Sequence, residues 1–382
     1  MRVVVFEDDT AKKEVILAAL EARGVGRNTV RCVANLAQFA GVGADVEVDL
    51  FILDLRMPGA TGADSRNVGL EILEMLDHGG RKRAQVLAIT AYPEEAEPIR
   101  DRFAERGCII FDFEQRAQWG NALDIFLAQA HERGRYDFII FTALEEERMP
   151  YSQFRDIEVK SQIRNGLNVW ETELDGRPGA IFMLPHMGLV NASIVVSRVL
   201  ENYSPSVVAM SGICAGLGSE IHLGQLLVAD VCFEYQSGKW LDEVFLAEPY
   251  QVAIPPLTRP QVVLAIESPD ITDALEAGFK GKSRPGTKYE PKLVVFATGS
   301  AVIASDERID GIRQQHRKVR GLDMEAFGFM KAAELSGKRM HVFCAKVVVD
   351  KAGAAKGDEI HEYGSYVSAR FTIDMVGQLL AL

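Results

Sequence analysis

Short, nearly unbroken apolar runs alternate along this chain with stretches whose apolar residues recur at helical spacing. Arg2–Phe6, Asp49–Leu55, Gln85–Thr90 and Cys108–Phe111 are the first four runs. They are too short for ordinary helices and lack polar alternation, as strands covered on both faces must. Between the first two, a helical stretch from Lys12 to Arg23 stops at Gly24, and residues 121–135 carry another that ends at Gly134. Strands alternating with helices predict a doubly wound α/β sheet, whose ligands gather at the carboxyl ends of its strands. The alternation then resumes with Tyr136–Leu144, Ala180–Leu184, Ser206–Ser211, Gln225–Tyr235, Lys292–Thr298 and Met340–Val349 as strands, and with helix 191–202. Gln225–Tyr235 is long enough to predict a strong bend. The break after the 121–135 helix divides the chain into domains 1–132 and 136–382.

Polar residues cluster where these strands end. In the first half, Glu7-Asp8-Asp9, Asp54 and Thr90 each follow an apolar run. Acids converging there repel one another unless a cation sits between them, and an all-oxygen set suits Mg²⁺. In the second half, Glu145-Glu146-Glu147 follow one strand, and Asp350 ends another. Gly212-Ile-Cys-Ala-Gly216 reads as a loop closing the Ser206–Ser211 strand, where glycines let backbone N–H groups approach an oxygen-rich ligand. A short Gly321-Leu-Asp strand feeds Met324 and Glu325 at the start of a helix that ends near Gly337. A thioether beside a carboxylate suits a sugar; taken alone, acidic N-capping beside a core Met explains the pair better, and it is the neighbouring strand-end motifs that favour the sugar. Separated carboxylates, Glu147 and Asp350, are what hydrolysis through an oxocarbenium-like state requires.

Composition removes several alternatives. A net charge of −12 argues against a nucleic-acid partner. Five scattered Cys without a CxxC pair suggest neither a disulfide framework nor a zinc site, and fit the cytoplasm. The acidic start argues against a signal peptide, and no apolar run approaches the ~20 residues of a membrane-spanning helix.

Residues 1–130 resemble the receiver domain of two-component response regulators. The likeness implies a flavodoxin-like fold, Asp54 as phosphoacceptor, Thr90 as switch hydroxyl and Phe111 as switch aromatic. It also implies Mg²⁺ on Glu7, Asp8 and Asp54, and an upstream sensor kinase or phosphotransfer protein. Two features depart from that family. An extra polar stretch, Ala60–Val68, lengthens the loop after Asp54, and Glu114 stands about where the family keeps a Lys-Pro lysine.

Residues 137–380 resemble the purine nucleoside phosphorylase and nucleosidase superfamily, closest in look to the methylthioadenosine/S-adenosylhomocysteine nucleosidases. The matching pieces are Ala143–Glu147, Met210–Gly216, Leu223–Asp230, Leu322–Ala326 and Val348–Asp350. This implies an α/β domain with a mixed, bent central sheet, and commonly a homodimer. Glu147 becomes the base that activates water, and Asp350 the acid at purine N7. Glu325 and Met324 hold the ribose, the Gly212, Cys214, Ala215 and Gly216 stretch lines the site, and Val302 and Ile303 meet the base edge. Val349 stands where this branch keeps a serine. A triphosphate tail would want cations, and Arg148, Lys160, Arg164, Lys351 and Lys356 are candidates, each also fitting a solvated surface; His186 could reach the pocket.

The pairing of the two halves resembles the effector regulator of the anti-phage systems called Detocs. It implies a receiver-regulated purine nucleosidase that strips adenine from ATP. The alternatives are a methylthioadenosine/S-adenosylhomocysteine nucleosidase with a vestigial receiver, or a non-enzymatic nucleotide-sensing module.

Overall fold

The structure, a computed structural model, describes residues 3–42, 48–78, 85–132, 136–164, 166–242, 244–248, 250–351 and 359–382. Arg2 and Lys356 lie outside the described residues. The chain forms two compact units, Met1–Gly134 and Arg135–Leu382.

In the first unit the apolar runs become β1 (Val3–Phe6), β3 (Leu50–Leu53), β6 (Gln85–Thr90) and β7 (Ile109–Asp112), joined by β2 (Val30–Val33). The sheet is parallel, in the order β2-β1-β3-β6-β7. Chain direction therefore switches between β1 and β3, and the crevice of a doubly wound sheet opens beyond their carboxyl ends. Every residue of β1 and β3 is buried, as their lack of polar alternation foretold. Two boundaries differ from expectation. The first helix spans Thr10–Glu21 because the Asp9 carboxylate accepts from the Lys12 N–H at 2.7 Å and caps it. The last helix, Arg116–Glu132, begins five residues earlier than its apolar spacing shows. The stretch after Asp54 is no plain loop either. It folds as a hairpin of β4 (Arg56–Pro58) and β5 (Ser65–Asn67), antiparallel.

The second unit contains β8 (Phe138–Thr142), β9 (Lys160–Arg164), β10 (Leu167–Leu174), β11 (Arg177–Met183), β12 (Val207–Gly216) and β13 (Leu226–Glu234). A small separate hairpin, β14 (Gly238–Leu241) with β15 (Val244–Ala247), precedes β16 (Gln251–Ala253), β17 (Lys292–Thr298), β18 (Val319–Asp323) and β19 (His341–Asp350). The main sheet is mixed and runs β16-β13-β17-β18-β12-β8-β11-β10-β9, with β19 bridging β12 and β13. Followed round, β12, β18, β17, β13 and β19 close on themselves as a ring. The bend expected in β13 is what permits closure. Leu226–Val228 pair with β19, the strand then shifts register between Ala229 and Val231, and the rest follows β17. Helix His361–Leu380 buries thirteen of its residues, Tyr363 to Leu379, and packs on β12 and β19.

Candidate functional site

β12 organises the second unit's site, because different partners join one of its edges in succession while β19 lines the other. Its first residues, Val207–Met210, pair with β8, and β18 joins only at Ala215 and Gly216. Between them lies Ile213. Its N–H is taken by Glu147 Oε1 at 2.9 Å, so this carboxylate fills the gap where one strand leaves and the next arrives. Glu147 reaches it from the short helix Glu145–Arg148, directly after β8. Its other oxygen accepts from the Ala143 and Leu144 N–H groups at 2.7 and 3.0 Å. Glu145 and Glu146 do not share this fate; they pair with Arg148 and His361.

Opposite the gap, β19 runs beside β12 to the register pair Ala215–Asp350. Ala215 also pairs with Leu322 of β18. One residue thus has Asp350 on one flank and the strand leading to Met324 and Glu325 on the other. From Ile213, which holds Glu147, to Ala215 is about 7 Å along the strand. All three sequence candidates converge on the last four residues of β12.

Glu325 is buried and stands at the start of helix Ala326–Leu335, but does not cap it. Asp323 does that, accepting from the Ala326 N–H at 2.9 Å. Glu325 Oε1 instead accepts from the Gly188 N–H at 2.9 Å, and Oε2 from Lys346 Nζ at 2.7 Å. Gly188 sits at φ +113°, a conformation open to glycine, which places the donor. Lys346, 1% exposed, also meets Asp323 at 2.8 Å. Burial alone would lower the Lys346 pKa, but Asp323 and Glu325 outweigh it and hold the ammonium well above its usual range. Burial pushes Glu147 up to about 7, opposed by the Lys346 charge and reinforced by Glu325. Three N–H donors and an ammonium keep it from rising further.

Several expectations need correction. Gly212–Gly216 is not a loop but the continuation of β12, and its N–H groups do not await a ligand. The Ile213 N–H serves Glu147, and the Gly212 N–H donates to Ser368 Oγ at 2.8 Å. Glycine is needed for a different reason. A Cβ on Gly212 would lie 2.2 Å from Glu147 Oε1, and one on Gly216 2.7 Å from Ile221 and Val348. Cys214 is buried, and burial raises its thiol far above the reactive range. Arg148 is no tail-binding cation. It is buried, bonded to Glu145 and Asn168, and lies over the Trp170 ring at 4.4 Å. Arg164 pairs with Glu171, and Lys351 turns onto the Gly218 and Ile221 carbonyls. Lys160 is exposed on the outer strand, and His186 is exposed two residues before Gly188.

Met324 is half-buried at the bend before Glu325. Val302 is exposed and Ile303 buried, in the segment between β17 and helix Asp306–Gln315. Tyr235 fixes that segment by donating to the Ala301 carbonyl at 3.3 Å, and the Gly299 N–H donates to the Asp323 carbonyl at 3.1 Å.

Two groups of the second unit escaped the sequence reading. Lys346 interrupts an otherwise apolar strand, and a lone charge in a central strand must be paired, which was a usable signal. Ser368, bridging the Gly212 N–H and the Ala345 carbonyl, carried no such mark.

The first unit gathers its own set. Glu7, Asp8 and Asp54 bring carboxylate oxygens within 4.8 Å of one another, a donor set that fits Mg²⁺. Ser65 of the hairpin donates to Asp8 at 3.0 Å, so the stretch after Asp54 folds back over the cluster. Thr90 is buried and accepts from the Tyr92 N–H at 3.0 Å. Phe111 is half-buried against the core on the helix Arg116–Glu132 side, and Glu114 is exposed. Lys12, unremarked in the sequence, reaches Glu7 and Asp54, both at 2.9 Å. Burial raises the Glu7 pKa to about 7, with Asp54 adding to it and Lys12 opposing.

Residues 137–373 match the profile of the Phosphorylase superfamily. An uncharacterised protein of Sinorhizobium fredii, y4jS, is 26% identical over 414 residues, covering 100% of both chains. The ATP nucleosidase Cap17 of Escherichia coli is 24% identical over 254 residues, 62% of this chain and 50% of its own length. This chain therefore spans about half of that relative. Among solved structures, the 5′-methylthioadenosine/S-adenosylhomocysteine nucleosidase of Neisseria meningitidis superposes with TM-score 0.51 at 16% identity, covering 63% of this chain and 98% of that one. The futalosine hydrolase of Helicobacter pylori does so with TM-score 0.50 at 16% identity, over 64% and 98%. Among the described residues no helix is long and apolar enough to cross a membrane.

Proposed function

This chain belongs to the phosphorylase superfamily, and we propose that within it the chain is a purine nucleosidase whose leading substrate is ATP, governed by a receiver domain. The observation that carries the chemistry is Glu147, fully buried, tied to three backbone N–H groups and poised near neutrality beside the β12 end that also holds Asp350. A general base works best when its pKa lies near the operating pH. Water attacks the ribose C1′, Glu147 takes its proton, and the C1′–N9 bond breaks as Asp350 protonates purine N7. Glu325 keeps unused lone pairs on both oxygens for ribose hydroxyls, and Met324 packs the sugar.

The likeness to an ATP nucleosidase supports the substrate, and the doubly wound first unit with its acidic cluster supports the receiver. A nucleotide-destroying site needs such a switch, as a toxic anti-phage effector would. Asp54 would accept phosphate from an upstream kinase or phosphotransfer protein. Glu7, Asp8 and Asp54 would hold Mg²⁺, which neutralises charge there. Exposed Met187, Val190 and Ile194, next to Gly188, support a homodimer that closes the nucleoside's 5′ end.

One observation favours the methylthioadenosine reading: Arg148 and Arg164 are already engaged, which leaves fewer cations for a triphosphate. The test gives purified protein ATP, AMP, adenosine and methylthioadenosine, with and without acetyl phosphate, and measures free adenine by chromatography. Release from ATP is the expected result. Release from methylthioadenosine alone sinks the ATP reading, and no release from any of the four sinks the enzyme.

Two further results are expected. Glu147 must be ionised to act, and its pKa is raised to about 7. The rate at low substrate should therefore fall about tenfold per pH unit below that value and level off above it. Gly212→Ala would drive a methyl group into the Glu147 carboxylate, and turnover should drop ~100-fold with the far-UV spectrum unchanged.

A further inference from the structure

The acidic cluster of the first unit contains a cation of its own. Lys12 Nζ donates to the Ile89 carbonyl and forms ion pairs with Glu7 Oε2 and Asp54 Oδ2, each at 2.9 Å. The contacts span the ends of β1, β3 and β6, so one side chain ties together the strand ends that form the crevice. The side chain is 6% exposed, and a lysine so buried persists only when paired. The Phe113 ring, 5.6 Å from Nζ, covers it further.

We propose that Lys12 is the resident counter-cation of this cluster, and that it competes with a divalent ion for Glu7 and Asp54. Three carboxylates carry a formal charge of −3, and Lys12 reduces this to −2. A divalent ion taking oxygens from Glu7 and Asp54 must share them with the ammonium or displace it. The proposal rests on the receiver reading only for what the cluster is used for, not for the competition itself.

Mn²⁺ binding to the full-length chain, followed by the paramagnetic resonance signal of the free ion, provides the test. Lys12→Gln and Lys12→Met should bind Mn²⁺ at least 10-fold more tightly than the unaltered protein. Lys12→Arg, which retains the charge, should stay within about threefold of it. Equal or weaker binding by the neutral variants overturns the proposal, as does tightening in the arginine variant. Should the neutral variants not fold, tightening in the arginine variant still overturns the proposal. Acetyl phosphate labelling is read separately on phosphate-affinity gels, with Asp54→Asn as control. In that step an Asp54 oxygen attacks phosphorus, the bond to the acyl oxygen breaks, and acetate leaves with the electron pair. No labelling at saturating Mn²⁺ defeats the receiver reading and leaves the competition result standing.

Discussion

Glu147→Gln should lower adenine release by about a thousandfold while the protein remains folded. General-base contributions of 10²–10⁴-fold are ordinary, and here no neighbour can substitute. Glu145 and Glu146 are engaged with Arg148 and His361, and Glu325 is bonded to Gly188 and Lys346. The amide matches the carboxylate in size, so the space beside Gly212 stays filled. Its NH₂ group cannot accept from a backbone N–H, however, and one of the three bonds is lost. Adenine measured by chromatography, with circular dichroism as the control for folding, decides the matter. A variant that retained more than a tenth of the rate would remove Glu147 from the reaction.

Lys346→Met should have the largest effect on stability. It would strand Asp323 and Glu325, both buried, without the ammonium that now meets them at 2.8 and 2.7 Å. Breaking a buried pair from one side costs ~3–5 kcal/mol. For a unit of this size that corresponds to a melting temperature lower by roughly 10 °C. Catalysis should suffer as well, since the Lys346 charge also opposes the upward push on Glu147. The acid limb that Glu147 sets in the pH–rate profile should therefore move to higher pH. Thermal unfolding and a pH profile of the surviving activity test both halves, and an unchanged melting temperature would refute the structural role.

Much of this was legible in the sequence because apolar strands reveal where they stop. β1, β3 and β19 each end at or just before an acid, β8 is followed closely by Glu145–Glu147, and those ends are where the acids assemble. The boundaries of helices were less legible, since Asp9 caps through a side chain that spacing alone cannot assign. The glycines of β12 misled for a physical reason. A turn and a close side-chain approach both require the absence of Cβ, and only the position of Glu147 tells them apart. Arg148 looked like a surface cation because its partners, Asn168 and Trp170, come from a strand some twenty residues away. Lys12 was hidden within an amphipathic helix, where one lysine resembles another until the fold turns it inward.

The strands that carry Ala215, Asp350 and Glu325's approach belong to a circuit without a free margin. A sheet with open borders can fray from outside and spare its middle. Here no seam is outermost, and parting any one of them strains every other. Loosening the catalytic groups by stages is thereby disfavoured: on warming, the competent arrangement should persist almost to the point at which the whole unit gives way.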